Sequence, residues 1–143
     1  FMIAAPSSTL GHWQREFAKW APALNVVVYG GTAAERKMSR EYELFEPGGG
    51  SVLQCDVVVT SYELLQKESG LFRSVPFELL VCDEGHRLKN DEAKTFGAIR
   101  RDLKVAHKIL LTGTPLQNNI RELFNLLSFL DPEEFDDYPA WEK

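Results

Sequence analysis

Five short apolar runs punctuate the chain: Phe1-Met-Ile-Ala-Ala5, Asn25-Val-Val-Val-Tyr29, Cys55-Asp-Val-Val-Val-Thr60, Phe77-Glu-Leu-Leu-Val-Cys82 and Lys108-Ile-Leu-Leu111. Their length and β-branched content predict strands. Between them apolar residues recur every three or four positions. Leu10, Trp13, Phe17 and Trp20 mark one face of a helix stopped by Ala21-Pro22, and the aromatic residues of that face are expected in the core. Thr32 with Glu35 fits a capping box opening a helix to about Glu46, before the loop Pro47-Gly-Gly-Gly50-Ser51. Thr60 with Glu63 predicts the cap of a short helix through Tyr62, Leu64 and Leu65. Residues Ala93 to Leu103 read as a helix, and Ile120, Leu123, Phe124 and Leu127 line another that Pro132 closes. Short apolar strands alternating with helices predict the α/β class, with a mostly parallel sheet covered on both faces.

Composition narrows the function classes. At 143 residues, 44% hydrophobic and 26% charged, the chain is one globular domain's worth of sequence. Its longest apolar run, Phe1 to Ala5, is far below the roughly 18 residues of a membrane span, so no membrane partner is expected. Cys55 and Cys82 stand alone, which excludes a disulfide scaffold and a four-cysteine zinc site and fits a reducing compartment. The net charge of −5 is local: residues 131–143 hold six acids and one base, leaving 15 acids and 15 bases in residues 1–130. A neutral body lacks the broad basic field of many DNA-binding modules, so any nucleic-acid contact must be local.

The candidate chemistry lies in Leu79-Leu-Val-Cys-Asp-Glu-Gly-His86, where an apolar strand runs into two carboxylates. Ligands of open α/β sheets bind at such carboxyl ends. Asp83 is a candidate Mg²⁺ ligand, since hard cations take oxygen donors, and Glu84 a candidate base for an attacking water. An isolated Asp-Glu pair also serves simply as a polar strand end. A second apolar strand ends in Leu111-Thr-Gly-Thr-Pro-Leu-Gln-Asn-Asn119, a small polar turn suited to phosphate.

With these residues in view, Asp83-Glu-Gly-His86 resembles motif II, the Walker B or DEAH-like box, of superfamily 2 helicase-like ATPases. Thr112-Gly-Thr-Pro-Leu-Gln-Asn-Asn119 resembles motif III of the Snf2 branch. Ala5-Pro-Ser-Ser-Thr-Leu10 with Trp13, Glu16, Phe17 and Trp20 resembles motif Ia, and Val57-Val-Val-Thr-Ser-Tyr-Glu63 resembles motif Ib. The four occur in family order. Trp20 to Tyr29 and Arg40 to Phe45 look most like the chromodomain-helicase-DNA-binding remodellers, with imitation-switch and recombination-associated translocases as rivals. Gly85 stands where many relatives carry alanine; both are small, so little consequence is expected.

The resemblance implies a RecA-like, P-loop NTPase type lobe over residues 1–130, truncated at its N-terminus, followed by an acidic exit segment at 131–143. It implies a nuclear ATP hydrolase, with ATP and Mg²⁺ as cofactors, that moves double-stranded DNA and remodels nucleosomes, working with histones and a second RecA-like lobe. In the catalytic roles it places Asp83 and Glu84. In coupling it places His86, Thr112, Gly113, Thr114 and Gln117, with His86 bonding toward Gln117. In DNA contact it places Pro6, Ser7, Thr9, Thr60 and Ser61, although helix capping competes for those hydroxyls. A strand-separating helicase, or an interaction module that has lost catalysis, is the alternative.

A P-loop needs Gly-Lys-[Ser/Thr], and Gly-Lys occurs nowhere in the chain. Lacking that cradle and an arginine finger, the segment alone is expected not to turn over ATP. Arg87, Lys89, Arg100, Arg101, Lys104 and Lys108 form the densest basic region, read as a solvated face or part of a DNA- or histone-facing surface.

Overall fold

A computed structural model describes residues 1–48, 50–85, 92–113 and 120–141. Five strands form one sheet: β1 (Met2–Ala5), β2 (Val26–Tyr29), β3 (Val57–Ser61), β4 (Pro76–Cys82) and β5 (Lys104–Leu110), in the spatial order β2-β3-β1-β4-β5. Every pairing is parallel. β1 and β3 are buried at every position, as the apolar runs require of strands covered on both faces.

The two-residue alternation of strands sorts the core into two layers. Ile3, Ala5, Val57, Val59 and Val81 face α1 (Leu10–Trp20), which covers them with Leu10, Trp13 and Phe17. Met2, Ala4, Val58, Leu80 and Cys82 face the opposite side. There they meet Tyr62 and Leu65 of α3 (Tyr62–Glu68), Ile99 of α4 (Glu92–Asp102) and Phe129 of α5 (Ile120–Leu130). The split follows from the strand order. The β1-to-β2 connection crosses the sheet one way and later connections return the other way, so right-handed crossovers put their helices on opposite faces. The chain leaves β1 toward one face and β3 and β4 toward the other, which opens a crevice at their carboxyl ends.

Both halves of the predicted capping box are present: Thr32 Oγ1 accepts from the Glu35 amide at 3.3 Å and the Glu35 carboxylate accepts from the Thr32 amide at 2.7 Å. They open α2 (Ala33–Ser39), which runs into a π turn over Arg40–Leu44.

Four expectations change. Trp20 is 73% exposed and not in the core; its indole N–H donates to Glu16 and Lys19 lies over its ring. Ser61, not Thr60, caps α3, accepting from the Leu64 amide at 3.3 Å. β5 starts at Lys104, earlier than the apolar run, because among the described residues it pairs with β4 alone and that edge position tolerates polar residues. The stretch after Leu130 folds back, placing Phe135, Tyr138 and Trp141 against Phe124 of α5, with a short α6 (Tyr138–Trp141).

Three members of the basic region, Arg100, Arg101 and Lys108, have structural work. Arg100 donates to the Ser128 carbonyl at 2.6 Å and Lys108 to the Phe129 carbonyl at 3.0 Å. α5 has no basic residue in its own last turn, so these cations satisfy its terminal carbonyls from outside. Arg101 pairs with Asp102; Arg87 and Lys89 lie outside the described residues. Among the described residues no helix is long and apolar enough to cross a membrane.

Candidate active site

Each motif-like segment leaves the carboxyl end of a different strand, and β3, β1, β4 and β5 are consecutive neighbours. Segments scattered from Ala5 to Asn119 in the sequence are thereby set in one row. The Asp83-Glu84 pair leaves β4, near the middle of that row.

The turn after β4 is clamped from both sides. The Asp83 amide donates to the Ala4 carbonyl of β1 at 2.8 Å, and the Gly85 amide donates to the Leu111 carbonyl beyond β5 at 2.9 Å. Between the clamps Glu84 takes φ 52°, the left-handed region, and is the one non-glycine residue at positive φ among those described. For a residue with a Cβ that conformation costs roughly 1–2 kcal/mol. Strain of this kind persists where surrounding bonds over-determine it, commonly at functional sites. Gly85 is buried, and a Cβ there would lie 2.8 Å from Leu110 Cδ2.

Asp83 is half-buried and held at two atoms. Its Oδ2 accepts from Trp13 Nε1 at 2.9 Å, and its main-chain carbonyl accepts from the Tyr62 hydroxyl at 2.6 Å. Burial, then the neighbouring Cys82 and Asp83, raises the Tyr62 pKa, so the phenol stays a neutral donor. Burial also pushes the Cys82 thiol up to about 12, which keeps it protonated and unreactive.

The turns flanking this pair are less open than their composition suggests. Ser7 is exposed, Pro6 is buried, and the Thr9 hydroxyl donates to the Pro6 carbonyl at 2.9 Å. Thr60 is fully buried with its hydroxyl donated to the Tyr29 carbonyl at 2.9 Å, and Ser61 is buried as the cap of α3. Neither the Thr60 nor the Ser61 hydroxyl therefore presents itself to a ligand on the surface. Beyond β5, Thr112 is half-buried and Gly113 exposed. His86, Thr114 and Gln117 lie outside the described residues.

The whole chain, residues 1–143, matches the SNF2-related domain. The chain belongs to that family. It is 43% identical to Protein CHROMATIN REMODELING 4 of Arabidopsis thaliana, over 99% of the chain and 7% of that protein. It is 42% identical to the CHD3-type chromatin-remodeling factor PICKLE of the same plant, over 94% of the chain and 11% of that protein. It is 39% identical to Chromodomain-helicase-DNA-binding protein 1 of Gallus gallus, over 100% of the chain and 8% of that protein. Among solved structures, the Sulfolobus solfataricus SWI2/SNF2 ATPase core in complex with dsDNA matches with a TM-score of 0.74 at 27% identity, over 96% of this chain and 26% of that one. The fold is thus the RecA-like lobe of an SNF2 ATPase core. The chain spans about a tenth or less of these curated relatives.

The donor set of this SNF2-related segment suits Mg²⁺. That ion keeps several waters and takes one or two carboxylates together with substrate phosphates, not a dedicated protein cage. Asp83 supplies such a carboxylate, with Glu84 beside it, and among the described residues no group of three or more His, Cys, Asp or Glu gathers to form a cage. Two residues of the site escape sequence reasoning. Trp13 reads as core from its helical spacing and Tyr62 as part of a short helix, yet both fix Asp83. The available signal is chemical: a partly buried indole N–H or phenol O–H needs a partner.

Proposed function

We propose that this chain is part of an ATP-driven motor that moves along double-stranded DNA and remodels nucleosomes in the nucleus, in concert with a second RecA-like lobe. The observation that carries the reading is the Asp83-Glu84 pair at the carboxyl end of β4, clamped by β1 and the segment after β5 and held by Trp13. The chromatin-remodelling relatives and the DNA-bound neighbour support it. Asp83 would hold Mg²⁺ beside ATP, where the ion supplies charge neutralisation for the transferring phosphoryl group. Glu84 would orient the attacking water and accept its proton. The strained turn and its clamps set the direction of that carboxylate. Along the same row of strand ends, Ser7 and the backbone of the turns after β1 and β3 would meet DNA phosphates without reading sequence.

Hydrolysis needs a lysine-bearing phosphate cradle that this sequence does not contain, so the segment alone is inactive and the parent protein is the enzyme. In the intact parent, Glu84→Gln retains nucleotide binding and loses DNA-stimulated ATP hydrolysis. Undiminished turnover in that variant would reject Glu84 as the base.

A further inference from the structure

The far edge of the sheet, away from the Asp83 row, carries an unfilled groove. Among the described residues β2 pairs with β3 alone. The Asn25 carbonyl accepts from the Asp56 amide at 2.9 Å and from the Val57 amide at 3.2 Å, so the backbone of Asn25 faces β3. The two-residue period of a strand then turns the backbone groups of Val27 toward β3 and those of Val26 and Val28 toward the open edge. A groove of about 390 Å³ runs along that edge, between Gln14 of α1 on one side and Tyr42, Glu43 and Gln54 on the other.

A second hollow of about 470 Å³ adjoins it, sharing Tyr42 and Glu43 and adding Met38 and Ser39. Met38 is 57% exposed and Tyr42 68% exposed. Ser39, by contrast, is 5% exposed, and its hydroxyl is the one buried side-chain polar atom without a hydrogen-bond partner among the described residues.

Charge fixes the kind of ligand. Glu43 is the acid of the first hollow and Glu35 and Glu43 those of the second, and among the described residues neither is lined by a lysine or arginine. The nearby cations are committed elsewhere: Arg36 and Arg40 to Glu68, and Lys37 to Glu41. Among the described residues no cation pairs with Glu43, which disfavours nucleic acid here and favours a cationic ligand. A second copy of this chain pairing through β2 would bring Asn25-Val-Val-Val-Tyr29, which has no basic residue.

We infer that this edge docks an extended basic peptide segment of a partner protein. The segment adds a strand beside β2, bonds the backbone of Val26 and Val28, sets a lysine or arginine against Glu43, and lays an apolar side chain over Met38 and Tyr42. Strand addition of this sort draws affinity from main-chain bonds and specificity from side-chain pockets. The site is separate from the proposed ATPase chemistry and stands without it.

The test uses the 143-residue chain, labelled with ¹⁵N, titrated with acetyl-Val-Lys-Val-Lys-Val-amide and with the matching glutamate peptide. The lysine peptide binds saturably, shifts the resonances of residues 25–28 and 42–43, and slows hydrogen exchange at Val26 and Val28. The glutamate peptide binds at least tenfold more weakly. Glu43→Lys, a surface change that leaves the fold intact, reduces affinity for the lysine peptide at least tenfold. Absence of saturable binding, affinity indifferent to Glu43→Lys, or shifts confined to other surfaces would overturn the proposal. Protection of Val26 and Val28 through self-association without peptide would also overturn it, by giving the edge to a second copy.

Discussion

The indole N–H of Trp13 donates to Oδ2 of Asp83 at 2.9 Å, joining residues 70 positions apart. Tyr62 grips the same residue through its main-chain carbonyl. Trp13 lies on α1, which follows β1, and Tyr62 opens α3 directly after β3, so the helices that follow two strands of the sheet are both bonded to the candidate acid. Trp13→Phe keeps an aromatic ring beside Phe17 but removes the donor. A hydrogen bond to a charged group is worth roughly 1.5–3 kcal/mol, and partial exposure puts this one near the low end. Tyr62→Phe removes a neutral bond worth about 1 kcal/mol. Because both bonds fix one residue, the double variant departs from additivity by at least about 0.5 kcal/mol. Chemical denaturation of the four proteins measures all three quantities, and strict additivity would show that the two bonds act independently.

Glu84 sits in a conformation that glycine adopts without penalty. Glu84→Gly and Glu84→Ala both delete the carboxylate and whatever it binds, so their difference isolates the backbone term. The glycine variant is expected to be the more stable by about 1 kcal/mol, read as a higher denaturation midpoint. Equal midpoints would mean that the turn relaxes out of the left-handed region once the side chain is gone.

The strands at the centre of the sheet were legible because a strand buried on both faces leaves an unbroken apolar run, and Val57-Val-Val59 and Leu79-Leu-Val-Cys82 are such runs. β5 was legible only in its apolar half, since Lys104 to His107 lie on a strand that has no second neighbour among the described residues to bury them. Trp20 obeys the helical period yet is exposed, because a period fixes a direction around a helix and not how far the covering layer extends. The Asp83-Glu84 pair was visible as two acids after an apolar strand. The φ of Glu84 was not, because glutamate gives no sign of a left-handed turn. The grip of Trp13 on Asp83 depends on β1 and β4 being neighbours, which strand order decides and local pattern does not.

Gly85 has a steric reason to be small, and no φ requirement, since its backbone is outside the left-handed region. An alanine Cβ would press on Leu110 Cδ2 at 2.8 Å, whereas the next contact, the Leu111 carbonyl, is a comfortable 3.7 Å. The end of a leucine side chain can rotate away, so Gly85→Ala is expected to cost less than about 1.5 kcal/mol. Gly85→Val adds branches that a single rotation of Leu110 does not clear, and should cost upward of about 2 kcal/mol. Thermal denaturation of both variants checks the ordering; a valine variant as stable as the alanine one would show that the turn itself gives way.

Asp102 supplies the acid-sensitive lock of the opposite end of the sheet. Its carboxylate is 1% exposed and accepts from Arg101 at 2.7 and 3.1 Å, from Ser69 at 2.5 Å and from Arg73 at 2.7 and 3.1 Å. These bonds tie the end of α4 to the turn carrying Phe72, a fully buried core residue. The Arg101 hydrogen bonds, then those of Ser69 and Arg73, hold the carboxyl well below the usual range, against the opposing effect of burial. A carboxyl whose folded pKa is depressed contributes stability above its unfolded value, about 3.9, and loses it as pH falls from there toward the folded value. Asp102→Asn therefore lowers the melting temperature at pH 7, and the gap to the unmodified chain narrows as pH drops below about 4. Arg73 and Arg101 are each about two-thirds exposed and re-solvate when the carboxylate goes, so the cost at pH 7 stays below the roughly 3–5 kcal/mol of breaking a fully buried pair. Melting curves from pH 7 to pH 2 decide the matter. A gap that stays constant across that range would mean that the charge of Asp102 contributes nothing and that only its shape is needed.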